Sequence, residues 1–327
     1  SAARAWLDAS RRGGDDRPFF LYLTFNNLYR HADTPLSREE TAYWEELLSY
    51  GDPAYPDEET FAAHRLLHAA FSPRVHRAPS REAMWKLVHN YAARIRGVDD
   101  EIGRLTACLH ELELADATSL VITSDHGVMF GEHGCYGGHT SAHLKCVHIP
   151  MIVSAPGVFE PGTVVKGLCY GLDLAPTICR LYGLEPPSGY HGMSLMHLLR
   201  NEALGGRDYV VCSHGEFTAQ RALVTDEWKL NRTWHSGFWD FSDTELYRIA
   251  DDPREEADVS GENAQVIREL SRKLRAWVEE YQPDHADPLA RIACEEPPGY
   301  LSYGQELRSF VRRGELKAPD GYTGRWA

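Results

Sequence analysis

Ser124-Asp125-His126-Gly127 sets a carboxylate beside an imidazole, two groups that together can hold a divalent cation or move a proton. Such a pair suits Mn²⁺ or Zn²⁺ and also accepts Ca²⁺ or Mg²⁺ when further carboxylates join it. The same residues also suit a plain turn, with Asp125 capping backbone amides and His126 solvated, and spacing alone leaves both readings open. Adjacent residues of a regular strand face opposite sides. Both groups therefore reach one ion only if the strand breaks, and Gly127 permits that break.

His126, His133, His139, His143 and His148 make up five of the 16 histidines, interleaved with Gly127, Gly131, Gly134, Gly137 and Gly138. Glycine lets backbone approach a ligand and histidine supplies protons or metal ligands, so this loop is suited to a site. His139 and His143, four apart, would share a helix face and could bind a separate Zn²⁺, although no H-E-x-x-H is present.

These residues need a frame. Leu120 to Thr123 is a β-rich run ending at the candidate pair, and ligands of open α/β sheets bind at the carboxyl ends of strands. Met151 to Val153 is a second run, and Phe19 to Phe25 is a continuous apolar stretch predicted as a core strand buried on both faces. From Ser80, a natural N-cap, Met84, Leu87, Val88, Tyr91, Ile95, Val98, Ile102, Leu105, Leu109 and Leu112 form one stripe of a long helix predicted to pack on the sheet. A further helix starts at Asp173 and ends at Gly183. The alternation predicts a doubly wound α/β core over residues 1–200. Short strands at 209–213, 222–225, 228–233 and 245–249, then a helix over 262–281, predict a small C-terminal α+β subdomain over 201–281. The Pro- and Gly-bearing residues 282–327 read as an extended tail, and 29–80 as loops and short helices.

The 327 residues are 43% hydrophobic and 25% charged, which excludes a disordered or collagen-like chain. A net charge of −14, from 34 basic and 48 acidic residues, repels a phosphate backbone and argues against nucleic acid as partner. An anionic small substrate then needs a local positive centre. Seven scattered cysteines without a C-x-x-C pair read as reduced thiols, which favours a reducing, cytoplasmic setting. No apolar run reaches 18 residues, so no membrane partner is expected, and Ser1 to Asp16 are too charged for a signal core. An export signal on a longer precursor stays open.

Thr123 to Gly134 (TSDHGVMFGEHG) and Ile149 to Gly157 (IPMIVSAPG) resemble the T-S-D-H-G-x-x-L-G-E-H-G and V-P-L-I-x-x-x-P-G blocks of the sulfatase family within the alkaline phosphatase superfamily. Tyr91 with Asp99 and Gly103, Asp173 to Thr177 (DLAPT), Gly192 to Leu195 (GMSL), and Glu245 to Tyr247 with Asp251 to Pro253 resemble further family segments in family order. The resemblance spans residue 17 to about 281. It implies an alkaline-phosphatase-like doubly wound sheet with helices on both faces. It also implies hydrolysis of a small anionic sulfate ester, with phosphodiester or phosphonate monoester hydrolysis as the alternative. Asp125 and His126 match two ligands of the family's one divalent cation, Ca²⁺ by family habit with Mn²⁺ or Mg²⁺ as alternatives. His31 matches a histidine contacting the ester, although Ala32 to Pro35 depart from the usual following residues. Counted back from Pro150, His139 stands where many members carry a lysine, so it matches the residue that holds an anionic oxygen or protonates the leaving group. Lys145 falls where an acidic residue is usual and reads as a surface lysine.

None of the seven cysteines is followed by x-P-x-R, the motif whose cysteine or serine becomes formylglycine. The resemblance thus implies that the nucleophile and a pair of metal-binding aspartates lie in an N-terminal portion outside this sequence, and that this piece alone does not turn over. A reading of another class is a non-catalytic binding or assembly module.

Overall fold

The computed structural model describes residues 2–12, 17–25, 28, 36–49, 81–200, 206–215, 218–236, 241–282 and 287–290, and the chain divides into two compact units. The first takes in residues 1–62, 76–121 and 153–158. It holds helices α1 (Ala2–Arg12), α2 (Arg38–Ser49) and α3 (Arg81–Glu111). The C-terminal end of the stripe read from the sequence enters its core, where Leu105, Cys108 and Leu109 pack with Ala3, Leu7 and Leu114, and Phe19, Leu21 and Leu112 lie against them, whereas Ile95 of the same stripe is exposed. At the start of α2, Ser37 and Glu40 cap each other, with Ser37 N–H donating to Oε2 at 2.7 Å and Glu40 N–H donating to Oγ at 3.1 Å. The Tyr43 hydroxyl donates to Asp100 on α3 at 2.6 Å. Ser80, the expected cap of α3, lies outside the described residues.

One expectation is corrected here. Residues 17–25 are irregular and not a core strand; Phe20 and Tyr22 are 76% and 81% exposed, Leu23 and Phe25 are exposed as well, and only Phe19 and Leu21 are half-buried. A strand exists only as a partner in a ladder, and among the described residues none pairs with this stretch. Apolar content alone cannot supply that partner.

The second unit takes in residues 63–75, 122–152 and 159–327. The division passes through strands β1 (Leu120–Thr123) and β4 (Met151–Ser154), which are hydrogen-bonded neighbours. Between them lie β2 (Met129–Phe130), β3 (Tyr136–Gly138) and the single turn α4 (Leu144–Val147). β2 and β3 pair antiparallel with an irregular register. After α5 (Leu174–Leu181) and α6 (Met196–Leu199) comes an antiparallel sheet in the order β5 (Val210–His214), β6 (Ala219–Val224), β7 (Lys229–His235) and β8 (Thr244–Tyr247). Helix α7 (Ala264–Tyr281) follows.

Register builds the core of this sheet. Val211, Leu223, Leu230 and Leu246 stand opposite one another across all four strands, and Leu270 and Leu274 of α7 pack onto that row. On the other face Val210, Ala222 and Val224 meet Ala142, Leu168 and Tyr170. The sheet is therefore covered on both faces, which explains why β6 is buried at every position.

Candidate functional site

Beyond Thr123 the chain turns sharply. The Ser124 hydroxyl donates to the His126 carbonyl at 2.8 Å, and Gly127 N–H donates to the Cys146 carbonyl at 2.8 Å. A Cβ on Gly127 would stand 1.9 Å from the Lys145 carbonyl oxygen, so only glycine fits this approach. The turn removes the alternation of a strand and brings Asp125 Oδ2 to 3.7 Å from His126 Nε2.

Each group is prepared by a local bond. Asp125 Oδ1 accepts the His126 amide at 3.0 Å, so one oxygen does the turn-capping work that the bland reading assigned to the whole side chain. The other oxygen belongs to a side chain that is 80% exposed. His126 Nδ1 lies 2.8 Å from the Gly127 carbonyl, which can only accept, so Nδ1 donates there and Nε2 is the ring nitrogen beside Asp125. A carboxylate oxygen and an imidazole nitrogen side by side are donor types that suit a divalent cation. Such an ion takes four or more ligands. Among the described residues no group of three or more His, Cys, Asp or Glu side chains could hold a metal, so these two groups by themselves do not complete a metal site.

The β2–β3 pairing carries His139 to the same place: its ring centroid is 4.1 Å from that of His126, with planes tilted by 37°. The next residues are stitched to the C-terminal sheet. Thr218 Oγ1 donates to the Thr140 carbonyl at 3.1 Å, and Ala142 N–H donates to Gln220 Oε1 at 2.9 Å. His214, the last residue of β5, stands edge-on to His139 with centroids 6.0 Å apart and planes at 83°. Its burial, and secondly His139 beside it, lower its pKa to about 4, so it is neutral at neutral pH.

The histidine loop therefore divides. His126 and His139 meet each other, whereas His133 and His143 stack together beside Tyr247, and His148 is exposed. This corrects the idea of a separate Zn²⁺ pair at His139 and His143: α4 begins only at Leu144, and the two rings have different neighbours. Lys145 lies 3.6 Å from Glu132 on a half-exposed side chain, in keeping with a surface lysine. His31 lies outside the described residues. His214 is the residue sequence reasoning missed. A lone histidine at a strand end carries no signal of its own, and only the pairing of Thr218 and Gln220 with the loop brings it there.

Other motif residues are structural. The Asp173 carboxylate, fully buried, accepts the amides of Tyr170 and Met193 at 2.8 Å each and is closed by a two-pronged contact from Arg207. The Thr177 hydroxyl donates to the Asp173 carbonyl at 2.6 Å and accepts the Leu195 amide at 2.8 Å. A Cβ on Gly192 would meet the Leu172 carbonyl at 2.2 Å. The D-x-x-P-T and G-x-S-L segments thus lock one another in place.

Comparison with known proteins agrees with this frame. The family model described as sulfatase matches residues 3–184, and that described as N-sulphoglucosamine sulphohydrolase, C-terminal, matches residues 131–282. The chain is 29% identical over 217 residues to an N-acetylglucosamine-6-O-sulfatase of Bacteroides thetaiotaomicron, covering 62% of this chain and 38% of that protein. It is 24% identical over 294 residues to arylsulfatase K of Xenopus laevis, covering 85% and 54%. A solved structure described as in complex with its substrate D-glucosamine-2-N,6-O-disulfate matches with TM-score 0.56 and 26% identity, over 63% of this chain and 44% of that one. The phosphonate monoester hydrolase of Silicibacter pomeroyi matches with TM-score 0.54 and 26% identity, over 76% and 50%. The chain spans between 38% and 54% of the length of these two curated relatives. Its fold is the alkaline-phosphatase-like α/β fold of these sulfatases. Among the described residues no helix is long and apolar enough to cross a membrane.

Proposed function

Because the chain belongs to the sulfatase family, we propose that it supplies part of the active site of a sulfuric ester hydrolase, the nucleophile coming from a portion outside this sequence. The observation that carries this reading is the meeting of Asp125, His126 and His139 where β1 ends. Asp125 Oδ2 and His126 Nε2 would hold a divalent cation, Ca²⁺ by family habit, with Mn²⁺ or Mg²⁺ as alternatives. When bound, the cation supplies positive charge against the nucleophile and a non-bridging oxygen of the ester. His139 would hold an ester oxygen or deliver a proton to the leaving group, and His31 would take the flanking position given by the resemblance. Formylglycine would be the nucleophile of the completed protein. In a chain of net charge −14, attraction of an anionic ester would rest on this local centre. The same reading divides the chain into a core over 1–200, a subdomain over 201–281 and a tail over 282–327; residues from 291 lie outside the described set.

The second reading, phosphodiester or phosphonate monoester hydrolysis, is favoured by the match to the phosphonate monoester hydrolase. One assay separates them: the polypeptide including its upstream coding sequence is offered 4-nitrophenyl sulfate, glucosamine 6-sulfate and bis(4-nitrophenyl) phosphate. Turnover of the sulfates, reduced at least about a hundredfold by Asp125→Asn, is the expected result. Turnover of the phosphate diester alone selects the second reading. Undiminished turnover in Asp125→Asn removes that residue from the ligand set.

A further inference from the structure

His139 sits on a loop whose backbone is fastened to the hairpin β5–β6. Thr140 is tied by Thr218, Ala142 by Gln220, and Gln220 Nε2 donates in turn to Thr233 Oγ1 on β7 at 3.0 Å. The strand beside β6 ends at His214, and Ser213 just before it accepts from Arg221 Nη1 at 2.7 Å, while Arg221 is clamped by Asp287 at 2.7 and 2.8 Å. His214 is thus a buried ring on a braced strand end, held edge-on to the half-buried side chain of a loop histidine.

We propose that His214 is a positioning residue, whose ring edge fixes the orientation in which His139 presents a nitrogen to the leaving oxygen of the ester. The proposal rests on the role given to His139 above. In that step a nucleophilic oxygen bonds to sulfur as the bridging S–O bond breaks. The electron pair departs with the ester oxygen, and that oxygen takes the proton carried by His139, so an alcohol is released. Being neutral, His214 can orient its neighbour without adding a charge next to it. The His139 ring also meets His126, so it has two imidazole neighbours that come from different elements.

The test uses the complete polypeptide with two substrates. Glucosamine 6-sulfate releases an alkoxide that needs a proton, whereas 4-nitrophenyl sulfate releases a stable phenolate that does not. His214→Ala is expected to lower kcat on the sugar sulfate by about ten- to a hundredfold with KM little changed, and on the aryl sulfate by less than about threefold. His214→Phe, which keeps a ring edge in place, is expected to recover most of that loss, with thermal melts confirming that both variants fold. Equal losses on the two substrates, or none, would overturn the proposal. An unsubstituted protein that turns over neither sulfate removes the sulfatase reading itself, and this inference with it.

Discussion

The imidazoles of His133 and His143 lie face to face, their centroids 3.8 Å apart and their planes within 22° of each other. His133 adopts φ of 52° in the Gly131–Gly134 turn, and His143 is fully buried. Ser141 Oγ is 2.8 Å from His143 Nδ1, and Glu245 Oε2 is 3.6 Å from its Nε2. Burial holds the pKa of each ring at about 3; His133 is lowered further by His143, and both by Lys229. Neither ring is charged at neutral pH.

Acid should therefore unfold this unit early. Because each ring titrates at about 3 in the folded chain against an ordinary 6.5, the unfolded chain binds protons first as pH falls. The contribution is complete above about pH 6.5 and is lost progressively down to about pH 3, at up to about 1.4 kcal/mol per pH unit for each ring. Urea unfolding followed across this window should show the fall, and His143→Phe should make it shallower. An unchanged slope in that variant would separate the rings from acid sensitivity.

Lys229 and Glu255 form an ion pair with both side chains wholly buried, and Glu255 Oε2 also accepts the Leu144 amide at 2.6 Å. Lys229→Met strands a carboxylate in the core and should cost about 3–5 kcal/mol. Adding Glu255→Gln removes the stranded charge while an amide oxygen can still accept from Leu144. The double variant should recover at least half of the loss in urea unfolding, and a double variant no better than the single would contradict this account.

Gly127 and Gly103 make opposite demands. Gly127→Ala drives a methyl into the Lys145 carbonyl and should destabilise by about 2 kcal/mol or more. Gly103, inside α3, has no heavy atom within 4 Å of the added Cβ, so Gly103→Ala should be neutral or stabilise by up to about 1 kcal/mol. Thermal melts of the two variants check both signs at once, and similar shifts would show that the close approach at Gly127 is not real.

The local order of elements was readable because short-range chemistry decides it. The stripe of Leu105 and Leu109 predicted α3, and the strand read at 228–233 overlaps β7, which runs from Lys229 to His235. Phe19 to Phe25 misled for a definite reason: the exposure of Phe20 and of residues 22–25, and the lack of a paired neighbour among the described residues, were invisible in a run of mostly apolar letters. Asp173, whose letter reads as well for a ligand as for a buried anchor, was assigned by its contact with Arg207, 34 residues away.

At the site, residue type pointed to Asp125 and His126 as a candidate pair and glycine placement to the break at Gly127, while His139 was marked only by the family resemblance. Sequence spacing treated the five loop histidines as one set, but the folded chain sends His126 and His139 one way and His133 and His143 another. Sequence order holds no distances between side chains on different elements. His214 lies 75 positions from His139 in the chain, and it meets that ring only because the β5–β6 hairpin binds the loop through Thr218 and Gln220. Residue type thus determined which groups could react, and tertiary hydrogen bonding decided which of them stand together.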